Sequence, residues 1–110
     1  MEYKFQILKT SWGIVIFSEI EDVTIQSISQ KDIRVTDNFY LNFLSEKQIN
    51  EDLISYWFSL AIKDLESELT KIIQDNVIRY EIISIDYSNV DFQEEALYYV
   101  MQGWLSKRYK

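Results

Sequence analysis

The side chains that perform most enzymatic chemistry are missing from this chain, which has no histidine and no cysteine. That removes thiolate nucleophiles, disulfides, most zinc sites and the one group that ordinarily titrates near neutral pH. Carboxylates, hydroxyls and rings remain. Glu94 and Glu95 are adjacent, so a helix points them about 100° apart, which makes no acid/base pair. Their expected role is to place anions in the first turn of a helix. Ser84 and Ser88 have no histidine to activate them. Gly13 and Gly103 stand alone, so there is no glycine-rich phosphate loop. Asp86-Tyr87-Ser88-Asn89-Val90-Asp91 has the outline of a calcium loop. Its sixth position is Asp91 where glycine is required, its fifth is Val90, and its twelfth is Leu97 rather than glutamate. The sequence therefore predicts no catalytic residue, no metal site and no cofactor. An enzyme working with carboxylates alone is the remote alternative.

Charge points to recognition instead. The chain carries 18 acids against 11 bases, a net charge of −7, and residues 46–95 hold 12 of those acids. Residues 96–110 carry three bases and no acid. An anionic middle repels nucleic acid and anionic membranes and steers a cationic protein; keeping a small domain soluble is the plainer use of the same charge. Trp12, Trp57 and Trp104 with eight tyrosines could stack nucleic-acid bases, but the basic groove that such binding needs is missing. One helix-like segment combines rings with acids. At 100° per residue, with Leu65 near the centre of its core stripe, Asp52, Tyr56, Ser59, Lys63, Glu66 and Thr70 point outward. Asp64 and Glu68 fall on one flank, and Tyr56 beside Leu60 puts apolar area on the solvated side. Asp52, Tyr56, Asp64, Glu66 and Glu68 are thus the candidate contacts for a basic protein partner, the other reading being an ordinary solvated face.

The elements that position these residues follow from hydrophobic period. With 110 residues, 47% of them hydrophobic, the chain is expected to form a single domain over 1–110 with one core. Tyr3, Phe5 and Ile7 alternate with polar residues, which is a strand with one buried face. Ile14 to Phe17 is apolar on both faces and predicts a central strand covered on both sides, with Gly13 at a hairpin return or bulge. Val23, Ile25, Ile33 and Val35 mark shorter strands, and Phe39, Leu41 and Phe43 a further one. Polar turns are expected at 9–11, 21–22, 29–32, 36–38 and 75–76. From Asn50 to Gln74 the apolar residues Ile54, Phe58, Ala61, Ile62, Leu65, Leu69, Ile72 and Ile73 recur at helical steps, with Asn50 as N-cap. Val77 to Tyr87 reads as a long strand whose inward face shifts between Ile82 and Ile83, the mark of a bulge. Asp91 to Glu94 has the pattern of a capping box opening a helix over 92–108. Gly103 inside that helix costs about 1 kcal/mol against alanine, so it calls for a packing reason, close approach to the sheet. The expected fold is α+β, a single antiparallel sheet of four to six strands with two helices packed on one face.

The charged opening Met1-Glu2-Tyr3-Lys4 is no signal peptide, and Trp12 to Phe17 is too short to span a bilayer. A cytoplasmic location is the expectation. The strand VIRYEIISIDYS followed by DFQEEALYYVMQGWL, with the small size and acidic bias, resembles the immunity proteins of bacterial toxin–immunity systems. That resemblance implies a non-catalytic domain that neutralises a cognate toxin, commonly a basic nuclease, by direct binding. A small acidic adaptor or secretion chaperone is the alternative.

Overall fold

The structure is a computed structural model that describes residues 1–8, 13–45, 48–87 and 93–110. The strands are β1 (Glu2–Leu8), β2 (Gly13–Ile25), β3 (Ile33–Arg34), β4 (Phe39–Phe43) and β5 (Val77–Tyr87). The helices are α1 (Glu51–Asp64), α2 (Glu66–Ile73) and α3 (Ala96–Tyr109). The five strands form one sheet in the order β1-β2-β5-β4-β3. The α+β class and the strand–helix–strand–helix order agree with the sequence reading; the purely antiparallel sheet does not. β4 and β5 run parallel, Leu41 opposite Tyr80, because the chain leaving β4 passes through α1 and α2 before it returns. A connection of that length brings the next strand in from the same end.

β1 and β2 form the expected hairpin, closing on Leu8 opposite Gly13. β2 continues without interruption to Ile25, so Glu21-Asp22 is strand and not the expected turn. Asp22 is tolerated on the helix side of the sheet because the Arg108 Nε–H donates to its Oδ1 at 2.8 Å. The register between β2 and β5 shifts at Glu19/Ile20, where Glu19 faces Ser84 and Ile20 faces Ile82. Ile83 is the extra residue, at the predicted bulge. The expected turn at 9–11 and the residues Asp91 and Phe92 of the capping box lie outside the described residues.

The long helix is divided at Leu65 (φ −104°, ψ 7°), which ends α1 and starts α2. In a straight helix Ile72 would lie directly in line with Ile54, 18 residues and five turns away. Ile54 is fully buried and Ile72 is 50% exposed, so the break removes Ile72 from the core while Leu69 and Ile73 stay in it. Buried residues of all three helices join Ile16, Ile20, Leu41, Tyr80 and Ile82 in one cluster on one face of the sheet. Tyr80 lies at its centre, stacked on Phe39 at 6.0 Å and edge-on to Trp104 at 5.6 Å. Burial pushes the Tyr80 phenol far above its ordinary value, and its hydroxyl pairs with that of Tyr109 at 3.0 Å. The Trp104 Nε1–H donates to the Met1 carbonyl at 2.8 Å, which satisfies the indole inside the core.

The other sheet face is largely open, against the expectation that Ile14 to Phe17 is covered on both sides. Ile14 and Ile16 are buried under the helices, but Phe17 points the other way and is 53% exposed, with the Lys4 ammonium over its ring. One polar joint forms near Asn42, a buried residue of β4. The Asp32 side chain is fully buried and accepts from Arg79 Nε and Nη2 at 2.8 Å each, Asn42 Nδ2 at 2.7 Å and the Ser29 N–H at 2.8 Å. Burial opposes its charge, but these four donors outweigh burial and hold the carboxyl below the usual carboxylate range.

This packing can be tested at Gly103 and at Asp32. A Cβ at Gly103 would overlap the hydroxyl, Cζ and Cε2 of Tyr3 on β1, which is the expected close approach of helix and sheet. Gly103→Ala gains about 1 kcal/mol of helix propensity but must displace a ring, at about 1–3 kcal/mol. Urea titration should show a less stable protein, and adding Tyr3→Ala should cost less than the sum of the single changes. Asp32→Asn removes the bidentate counter-charge of the mostly buried Arg79 guanidinium, leaving it, among the described residues, only the longer 3.8 Å ion pair with Glu81, and should cost about 3 kcal/mol at pH 7. Because the folded Asp32 titrates lower than the unfolded one, its contribution is complete above the ordinary carboxylate value and disappears as pH falls through the folded value. The stability gap between wild type and Asp32→Asn should therefore be constant near neutrality and narrow in acid.

Candidate functional site

α1 starts at Asn50, whose Oδ1 accepts the Leu53 N–H at 3.1 Å, and Glu51 and Asp52 sit in its first turn. There the helix dipole favours anions, so the position of Asp52 has a structural reason. The core stripe of α1 is Ile54, Phe58, Ala61 and Ile62. Trp57, Leu60 and Asp64 recur on the adjacent flank at steps of three and four, and that flank borders α3. Glu95, the residue before α3, and Tyr98 and Tyr99 on its first turn close the other side. Together these six residues line a crease of about 230 Å³, and none of these described lining residues is basic.

Ring geometry and hydrogen bonds order this crease. Tyr98 and Tyr99 meet edge-to-face at 5.2 Å and 89°. Tyr99, 52% exposed, stacks on Phe5 of β1 at 6.3 Å. Tyr56 lies on Trp57 at 5.0 Å, nearly parallel at 22°, and is itself 54% exposed. The Tyr98 hydroxyl donates to Asp64 Oδ2 and accepts from Gln102 Nε2 at 2.8 Å. The relay Gln102–Tyr98–Asp64 fixes the orientation of a carboxylate at the rim. Its hydrogen bond to Asp64, with lesser help from burial and from the Asp64 charge, pushes the Tyr98 phenol above its ordinary value. Among the described residues the buried Trp57 Nε1–H has no hydrogen-bond partner.

The structure therefore separates the predicted contact residues. Tyr56 and Asp64 belong to the crease or its immediate border, joined through Trp57. Glu66 and Glu68 lie beyond the break at Leu65, in the first turn of α2, where an anion is again favoured by the helix end. Neither lines the crease: Glu66 would point away from the Asp64 flank even in a straight helix, and Glu68, which a straight helix would place on that flank, lies beyond the break at Leu65. The residues that sequence reasoning missed are Trp57, Glu95, Tyr98 and Tyr99. Their signal was the Tyr98-Tyr99 pair at the edge of the α3 core stripe, but which helix flanks meet is decided by packing and cannot be read from either segment alone.

A larger hollow of about 330 Å³ lies by the β1–β2 hairpin. It mixes Lys4 and Lys107 with Glu2 and Glu19 around the exposed ring of Phe17, so its charges largely balance. Among the described residues the crease is lined by three rings, Leu60 and two carboxylates, and is the better-defined chemical environment. Among the described residues, no three acidic side chains gather as a metal site would require. Among the described residues, no helix is long and apolar enough to cross a membrane. Compared with protein-family models the chain matches none, and no curated protein matches it.

The relay predicts a titration. Asp64→Asn removes the charge that resists phenolate formation, so the Tyr98 pKa should move down toward 10.0, the ordinary tyrosine value. Site-resolved NMR of the Tyr98 ring against pH would measure it. A Tyr98 titration unchanged by the substitution would refute the relay.

Proposed function

We propose that this chain is a non-catalytic protein-binding domain of the immunity type, which neutralises a basic bacterial toxin domain in the cytoplasm by binding it directly. The observation that carries this reading is the crease between α1 and α3. Half-exposed rings are set beside carboxylates there, with no neutralising base among the described lining residues. Aromatic anchors at the centre of a patch with charges at its rim are the usual anatomy of a tight protein interface. The net charge of −7 supports the same reading, because a partner of opposite sign is drawn in from a distance. The absence of histidine and cysteine leaves few groups suited to catalysis near neutral pH. Asp22 and Asp32 are already paired with Arg108 and Arg79, whereas Asp64 and Glu95 have no ion-pair partner among the described residues.

The test pairs this chain with the product of the neighbouring reading frame. A tight one-to-one complex that protects cells from that product is expected, and failure to bind or protect would contradict the proposal. Within the complex, Asp64→Lys should slow association more than it speeds dissociation, and added salt should do the same to wild type. Tyr56→Ala should act mainly on dissociation, with a loss of about 1–2 kcal/mol if the ring is a buried anchor. Stopped-flow association kinetics separate the two effects. Neither substitution should alter stability by more than about 0.5 kcal/mol beyond the loss of the Tyr56–Trp57 stack.

A further inference from the structure

We infer that the α1–α3 crease is a receptor for an arginine side chain presented by the partner. This inference rests on the protein-binding reading and specifies what that surface recognises. Three rings (Trp57, Tyr98 and Tyr99) and Leu60 supply apolar wall, while Asp64 and Glu95 supply the only charges among the described lining residues. An apolar wall with two carboxylates suits a side chain that is apolar along its stem and cationic at its tip. Ring faces attract such a cation in addition to the carboxylates.

The order in the crease favours arginine over lysine. Asp64 makes a single hydrogen bond among the described residues, from the Tyr98 hydroxyl, and a carboxylate has about four acceptor sites. Its remaining sites suit a planar fork of N–H donors, and the relay from Gln102 has already fixed the carboxylate's orientation. The perpendicular rings of Tyr98 and Tyr99 form a corner in which a flat guanidinium can stack on one face. An ammonium is a compact, strongly hydrated point charge that gains less from either feature. Glu95 is exposed and has no ion-pair partner among the described residues. The rival hollow at β1–β2 sets Lys4 and Lys107 against Glu2 and Glu19, so it offers no net attraction for the same cation.

The test is an NMR titration of the isotope-labelled chain with the blocked tripeptide Gly-Arg-Gly, against Gly-Lys-Gly and Gly-Leu-Gly. Arginine should give saturable shifts centred on Trp57, Leu60, Asp64, Glu95, Tyr98 and Tyr99, binding about fivefold more tightly than lysine, with leucine silent. Asp64→Asn and Glu95→Gln should each weaken binding about fivefold, and Glu66→Gln on α2 should not. Both carboxylates are exposed, and thermal melts of the variants confirm that they are folded. Shifts spread over all acidic surfaces, equal response to lysine, or binding of the leucine peptide would overturn the inference. So would self-association of the chain through this crease in place of peptide binding. If the arginine peptide fails while the toxin complex still forms with salt-dependent association, the arginine receptor is wrong and the protein-binding reading stands. Peptide binding at the crease without any toxin complex would instead overturn the toxin-neutralising reading and leave the arginine receptor in place.

Discussion

The parallel pairing of β4 with β5 is the constraint from which the rest of the architecture follows. Parallel neighbours cannot be joined by a tight turn, so the chain must cross over the sheet between them, and here it does so as α1 and α2. The crossover covers the β4 side of one sheet face. α3, arriving after β5, covers the β1 side, with Tyr3 lying against Gly103. Two helices laid side by side on one face leave a seam along their outer flanks. That seam is the crease, so the candidate site is a by-product of the topology and is edged by whichever residues lie beside the two core stripes. The opposite face keeps the Asp32–Arg79 joint and remains open around Phe17.

The acids divide by what already neutralises them. Asp22 and Asp32 hold arginines and belong to the framework. Glu51, Asp52, Glu66 and Glu68 sit in helix first turns, where backbone N–H groups favour them. Asp64 has no such reason, because it is the last residue of a helix, where the dipole disfavours an anion; Glu95, at the N-cap of α3, is favoured by the dipole but makes no side-chain cap bond. These two line the crease. A carboxylate kept where local electrostatics do not favour it, as Asp64 is, is the one whose purpose is best sought in a partner.

Local periodicity carried much of the fold. The alternation in β1 and β4, the bulge at Ile83, the N-cap at Asn50 and the reason for Gly103 were all legible, because each depends on neighbours within a turn or a strand pair. Where sequence and structure part, the deciding contact is distant. Glu21-Asp22 reads as a turn until Arg108, 86 residues away, is known to compensate Asp22. Asp32 reads as a loop residue until Arg79 arrives from 47 residues away. The parallel direction of β4 against β5 is implied by the order strand, helix, strand, although that same order of elements is read from the sequence as an antiparallel sheet. For the site, Tyr56 and Asp64 were visible as ring and acid on one helix. Tyr98, Tyr99 and Glu95 were not, since the contact between α1 and α3 is tertiary. The break at Leu65 also had no local signal, and it detached Glu66 and Glu68 from the face to which an unbroken helix assigned them.

Recognition through the helix seam should leave the open sheet face free. Hydroxyl-radical footprinting of the chain alone and in complex with the proposed partner reads this directly, because tyrosine, tryptophan and phenylalanine side chains report their own exposure. Tyr56 and Tyr99 are each about half exposed on the seam, at 54% and 52%, and Phe17 is 53% exposed on the sheet, so the three start from nearly equal accessibility. Complex formation should suppress oxidation at Tyr56 and Tyr99 and leave Phe17 as reactive as before. Protection of Phe17 with Tyr56 and Tyr99 unchanged would contradict seam recognition and place the contact on the open face of the sheet.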